Sequence, residues 1–144
     1  MIILILINTG IFFLLALLHM YWAMGGKKYL DDAIPVELTG EVVMSPSRIT
    51  TFFVALLLLL FAIITIGNIG FLDIEINRKY IHYTTLFVGI TFIIRVIGDF
   101  KFVGITKRVK GTKFAVKDDQ VYIPLCLMLG AFNIIIALYG NTKF

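Results

Sequence analysis

Cysteine, histidine, proline and charge are all scarce in this chain. Its 144 residues hold one cysteine, two histidines and three prolines. A lone Cys126 excludes an internal disulfide and any metal site built on paired thiolates. Its place inside an apolar run is that of a small apolar filler. His19 and His82 fall on opposite sides of the membrane in the topology argued below, so no metal centre is expected. There is no nucleophile elbow, phosphate loop or metal-ligand spacing, and no cofactor is expected. Charged residues make up 15% and hydrophobic residues 60%; soluble domains run near ~25% and ~45–50%. A chain this short could not hide so much apolar surface from water. The solvent this composition suits is lipid.

Four apolar runs are present, over residues 2–24, 49–72, 80–100 and 121–139. Each is close to the ~20 residues that cross ~30 Å of hydrocarbon as a helix. The second is the strongest, with Val54-Ala55-Leu56-Leu57-Leu58-Leu59-Leu60-Phe61 unbroken. The third is the weakest, because it carries His82 and Arg95. The first has no basic residue ahead of it and an apolar core too long for a signal peptide; it is expected to be a retained helix. The fold class expected is all-α: one integral membrane domain over 1–144, an antiparallel four-helix bundle.

Basic residues set the orientation. Loops 25–48 and 101–120 carry Lys27, Lys28, Arg48, Lys101, Lys107, Arg108, Lys110, Lys113 and Lys117; the opposite side has only Arg78, Lys79 and Lys143. Nine against three puts both loops in the cytoplasm and both termini on the extracytoplasmic side of a cell (inner or plasma) membrane. The basic loop 101–120 reads as a topology determinant resting on anionic headgroups, at about 1 kcal/mol per residue. Nucleic acid is not an expected partner.

Within the loops, Gly25-Gly26, Pro35, Gly40 and Pro46 punctuate irregular backbone. Residues 36–43 suit a short hairpin. Ser45 or Ser47 suits the cap of the second helix and Asp118 or Asp119 the cap of the fourth, with Pro124 in its tolerant early turns. A short turn, 73–79, joins helices two and three.

In a membrane span the polar and small residues are the informative ones. Helix one aligns Asn8, Phe12, Leu15, His19 and Trp22; helix two Thr51, Ala55, Leu58, Ala62 and Thr65. Helix three aligns Thr84, Val88, Thr91, Arg95 and Asp99; helix four Asp119, Tyr122, Cys126, Gly130, Asn133 and Ala137. These stripes are expected to face one another. His19, Arg95, Asp99, Asp119 and Tyr122 then share a cytoplasmic-side layer, and Asn8, Asn68, Thr84 and Asn133 an outer neutral one. Arg95 needs a partner at that depth, and Asp99, one turn on, is the expected one. His19 titrates near neutrality and is a candidate proton carrier.

Three blocks carry a family resemblance. They are His19-Met20-Tyr21-Trp22-Ala23-Met24-Gly25-Gly26, then Arg95-Val96-Ile97-Gly98-Asp99-Phe100-Lys101-Phe102-Val103-Gly104, then Thr112-Lys113-Phe114-Ala115 with Asp118, Tyr122 and Pro124-Leu125-Cys126-Leu127. Over nearly the whole chain this resembles a family of small bacterial four-helix membrane proteins of unassigned function. Asp119 and Ile123 stand where relatives often have Thr and Ser, which moves the expected carboxylate role to Asp118. The resemblance implies a fold and one important cytoplasmic-side cluster, but no reaction.

The functional expectation is a bundle that binds or translocates a small anionic or amphipathic ligand. Its candidate site is His19, Trp22, Arg95, Asp99, Lys101, Asp118 and Tyr122, and translocation would call for a homodimer. One alternative is a membrane enzyme acting on a lipid or isoprenoid-like substrate, with His19 or Asp99 as acid or base and Arg95 holding developing charge. Another is an accessory or scaffolding subunit whose polar cluster serves assembly. Membrane lipids are partners in every case.

Overall fold

The computed structural model describes residues 1–70 and 77–140. Four helical runs are long and apolar enough to cross a membrane: Ile2–Ala23, Arg48–Gly67, Arg78–Ile97 and Lys113–Tyr139. We label α1 Ile2–Ala23, α2 the single turn Leu30–Ala33, α3 Arg48–Gly67 and α4 Arg78–Ile97. The fourth run comprises α5 Lys113–Lys117, a π-helical turn Asp118–Tyr122, and α6 Ile123–Tyr139. No strand occurs among the described residues, so the chain is an all-α, multi-pass membrane protein. Residues 36–43 double back as the expected short hairpin, reduced to one antiparallel bridge, Val36 with Val42, beside which Glu37 N–H donates to the Glu41 carbonyl at 2.8 Å and Val43 N–H to the Pro35 carbonyl at 3.0 Å.

Between 22% and 33% of each span is buried inside the bundle. Much of the rest is apolar and faces outward, as at Ile3, Leu14, Phe53 and Phe87. Helices that are hydrophobic all round suit lipid, and their backbone groups are bonded within the helix as hydrocarbon requires.

The bundle is built from two helix pairs. α1 packs along α3 and α4 along α6, while the α1–α6 and α3–α4 contacts are much sparser. Small residues bring the second pair close. A Cβ at Gly89 would stand 3.0 Å from the Gly130 carbonyl oxygen, and one at Gly130 would stand 3.1 Å from the Gly89 oxygen. Such small-residue seams are the usual means of close approach between membrane helices. On α3 the expected stripe is buried throughout, from Thr51 to Thr65.

Helix boundaries differ from the apolar runs where backbone chemistry overrides hydropathy. Ser47 accepts the Thr50 N–H at 3.1 Å and starts α3, as expected. Helix four starts earlier than expected: Thr112 accepts the Ala115 N–H at 3.1 Å, so neither Asp118 nor Asp119 is the cap. α4 stops at Ile97, not at residue 100. The expected turn 73–79 falls largely on residues 71–76, outside the described residues, as do the expected end of helix two at 72 and Lys143.

A neutral polar layer lies toward the end of the bundle holding the termini. Thr65 donates to Asn133 Oδ1 at 3.1 Å and Asn68 to Thr85 Oγ1 at 2.8 Å. Thr85 takes the place expected for Thr84, which is exposed and donates to its own helix. Asn8 is fully buried, and neither the nitrogen nor the oxygen of its amide has a partner among the described residues.

Candidate functional site

The loop after α4 is shaped by Gly98, Asp99 and Gly104. Gly98 takes φ +90, which ends the helix. A Cβ there would lie 1.7 Å from the Val103 carbonyl oxygen, so only glycine fits. The chain turns around the Asp99 carboxylate, whose Oδ1 accepts the N–H groups of Lys101, Phe102 and Val103 at 2.9, 2.7 and 2.8 Å. Partial burial pushes this carboxyl's pKa up, but the bonds from Val103, Phe102 and Lys101 outweigh it and hold it below the ordinary aspartate value.

This turn delivers Gly104 to Asp118, the centre of a buried charge network. Asp118 Oδ2 accepts the Gly104 N–H at 2.8 Å and Lys107 Nζ at 3.2 Å, while Oδ1 accepts Arg95 Nη2 at 2.8 Å. Lys107 also bonds the Gly104 carbonyl at 3.1 Å and pairs with Asp119. Asp118 is completely buried and the Lys107 side chain is 1% exposed. Two cations and two carboxylates therefore balance. Asp118 opens the π turn and faces inward with Phe114 and Ala115 one turn before it, while Asp119 beside it is exposed.

The Arg95–Asp99 pair expected from one-turn spacing is not made. Spacing arguments hold only within a helix, and the helix has ended before Asp99. Arg95 pairs with Asp118 on the fourth run instead. Lys101 also stands apart, paired with Glu37 at 3.4 Å in the exposed loops and lying over the Phe102 ring. Lys107, counted by sequence only among the topology-setting cations, is the residue that sequence reasoning missed. Nothing in its neighbourhood of exposed basic residues marks it as buried.

Between the two helix pairs, at the end bearing the 25–47 and 98–112 loops, lies a cavity of about 520 Å³. Leu15, Leu18, Val54, Leu58 and Leu125 line its apolar walls. Phe61 and Phe92 form the floor and pack with Phe12 beneath, ring centroids 5.3 to 6.1 Å apart. Trp22, Ala33 and Phe114 close the loop end. Leu57 on α3 and Thr91 on α4 line the cavity and are exposed as well, so it opens sideways between those sparsely packed helices.

The polar residues on the cavity wall are His19, Thr91, Arg95, Tyr122 and Cys126. His19 Nδ1 lies 2.8 Å from the Leu15 carbonyl. A carbonyl can only accept, so Nδ1 carries hydrogen and, in the neutral ring, Nε2 keeps its lone pair. The ring stands edge-on to Trp22, centroids 4.9 Å apart, and Trp22 is fixed by donating to the Lys28 carbonyl at 2.8 Å. Tyr122 donates to the Asp32 carbonyl at 3.2 Å, tying the 25–47 loop over the cavity. Arg95 gives Nη2 to Asp118, while its buried Nη1 has no partner among the described residues. Of the seven sequence-derived candidates, His19, Trp22, Arg95 and Tyr122 meet at this cavity. Asp118 stands behind Arg95; Asp99 and Lys101 lie in the loop outside. No cluster of three or more metal-ligating side chains occurs among the described residues.

The chain belongs to the family described as protein of unknown function (DUF3995), whose model matches residues 12–133. The match takes in all three sequence blocks and every wall of the cavity. No curated protein and no solved structure matches the chain.

Proposed function

We propose that this member of the family holds a lipid-soluble amphipathic small molecule in the cavity between its two helix pairs. The observation that carries the reading is the cavity itself: about 520 Å³, mostly apolar, with polar groups converging from α1, α4 and the fourth run. Ligand sites are typically ≈ 300–1,000 Å³, apolar, with a few placed polar groups. The opening between α3 and α4 faces the apolar surroundings of the bundle, the natural route for such a molecule. By the distribution of basic residues, this end lies on the cytoplasmic side.

Amphipathic describes the ligand better than anionic. Arg95 is already paired with Asp118, and Lys101, the other cation expected at the site, faces Glu37. The Phe12–Phe61–Phe92 floor also favours retention over passage through the bundle. His19, Trp22, Arg95 and Tyr122 would contact ligand, and Asp118 would position Arg95. The enzyme reading loses support because Asp99, one of its two acid–base candidates, is engaged with loop backbone. The scaffolding reading keeps one specific support: the charges of the Arg95–Asp118–Lys107 network are satisfied internally.

The test is thermal stability of the delipidated protein with fractionated membrane lipid extract. A ligand that binds the folded state stabilises it by RT ln(1 + [L]/Kd). One fraction should raise the melting temperature of wild type and leave Thr91→Phe, which narrows the mouth, unaffected. Equal effects of every fraction on both proteins would refute a specific site.

A further inference from the structure

We infer that the ligand of this cavity is a neutral, ring-headed, lipid-soluble molecule of the quinone class, an inference resting on the binding reading above. Charge comes first. Arg95, Lys107, Asp118 and Asp119 already balance. A fatty acid or an anionic phospholipid head would add an uncompensated negative charge to a low-dielectric site, which is unfavourable. A neutral head leaves the balance intact.

Hydrogen bonding comes second. Two residues that line the cavity, Arg95 and His19, have hydrogen-bonding capacity left. Arg95 lines the cavity, and its Nη1, shielded from solvent, has no partner among the described residues, a situation that costs free energy until an acceptor arrives. His19, with Nδ1 committed to Leu15, presents Nε2 as an acceptor. A quinone carbonyl takes a bond from Arg95, and a quinol hydroxyl gives one to His19. An isoprenoid alcohol could meet both groups with its one hydroxyl, so the ring and not the hydrogen bonds tells the two ligand classes apart.

Shape comes third. Trp22, Phe114 and Tyr122 put three aromatic rings around the polar end, and ring faces and edges favour a flat aromatic partner. A prenyl tail would leave through the gap between Leu57 and Thr91.

Trp22 is the only tryptophan in the chain and lies on the cavity wall, so its fluorescence reports occupancy. The full chain in lipid nanodiscs is titrated with a benzoquinone carrying one isoprene unit. Farnesol and decanoate serve as competitors. Saturable quenching is expected in wild type, undisplaced by equal concentrations of either competitor and lost in Thr91→Phe. Thermal stabilisation measured anaerobically gives a second reading. The quinol is expected to bind about threefold to tenfold more tightly than the quinone, as one added hydrogen bond implies, and His19→Phe removes that difference. Quenching displaced by farnesol or decanoate at equal concentration, or stabilisation by either without saturable quinone binding, would overturn the ring-headed ligand and leave the cavity reading standing. No binding by any of the three would overturn both. Quinone binding with an unchanged quinol-to-quinone ratio in His19→Phe would overturn the placement of the head.

Discussion

At the scale of single residues, the energetics turn on groups that hydrocarbon cannot solvate. Asp118 is held by two cations and one backbone N–H. Removing one member of a buried ion pair typically costs ~3–5 kcal/mol, whereas replacing the whole pair by apolar groups is often neutral. Asp118→Leu should therefore lower folded stability by about that amount, and Arg95→Leu/Asp118→Leu should lower it less, with Lys107 still paired to Asp119. A double-mutant cycle in thermal unfolding reads the coupling; strict additivity would mean the pair is not a unit. Asn8 is the opposite case, a buried amide with no partner among the described residues. Asn8→Leu should raise stability by about 1 kcal/mol. A loss would mean that the amide is bonded after all. The legible part of the site at this scale was Arg95, which had to be partnered. Its partner was not legible from spacing: Asp99 is four residues away in sequence but past the end of the helix, while Asp118 is reached only through the fold.

Among the connecting elements, the turn after α4 shows how a sequence motif can be structural. Gly98, Asp99 and Gly104 form a backbone turn that hands one N–H to Asp118. Gly98→Ala would force a Cβ onto the Val103 carbonyl at a positive φ, so folded yield in mild detergent should collapse. Normal yield with an unchanged melting temperature would contradict this geometry. The Asp99 carboxylate gives the turn a pH dependence whose sign is fixed. Its folded pKa lies below the unfolded one, so its contribution is complete above about pH 3.9 and is lost as pH falls through the depressed value. Hydrogen exchange at the Lys101, Phe102 and Val103 amides, corrected for intrinsic rate, should lose protection over that acid window in wild type. In Asp99→Ala, protection should be low throughout. The four spans and the Ser47 cap were readable from hydropathy and capping chemistry. The π turn was not, because nothing in Asp118-Asp119-Gln120-Val121-Tyr122 distinguishes a wide turn from a regular one until its neighbours are packed.

For the whole molecule, the useful division is not four helices but two tight pairs with a loose seam. α1 lies along α3, and α4 meets α6 through Gly89 and Gly130. The seam is stitched at the terminal end by the Asn68–Thr85 bond and below the cavity by the Phe12–Phe61–Phe92 cluster, and it opens at the loop end into the cavity. Sequence reading found most of the inward stripes but could not find this cavity, since an apolar wall facing an internal space and one facing lipid are composed alike. The central claim, that the seam holds a specific lipid-soluble molecule, is tested most directly by mass spectrometry of small molecules retained by the purified chain, wild type beside folded Thr91→Phe. The account predicts a distinct compound, near one per chain, carried by wild type and absent from the variant. The same bulk lipids in both would contradict it and leave the charge network as a structural strut.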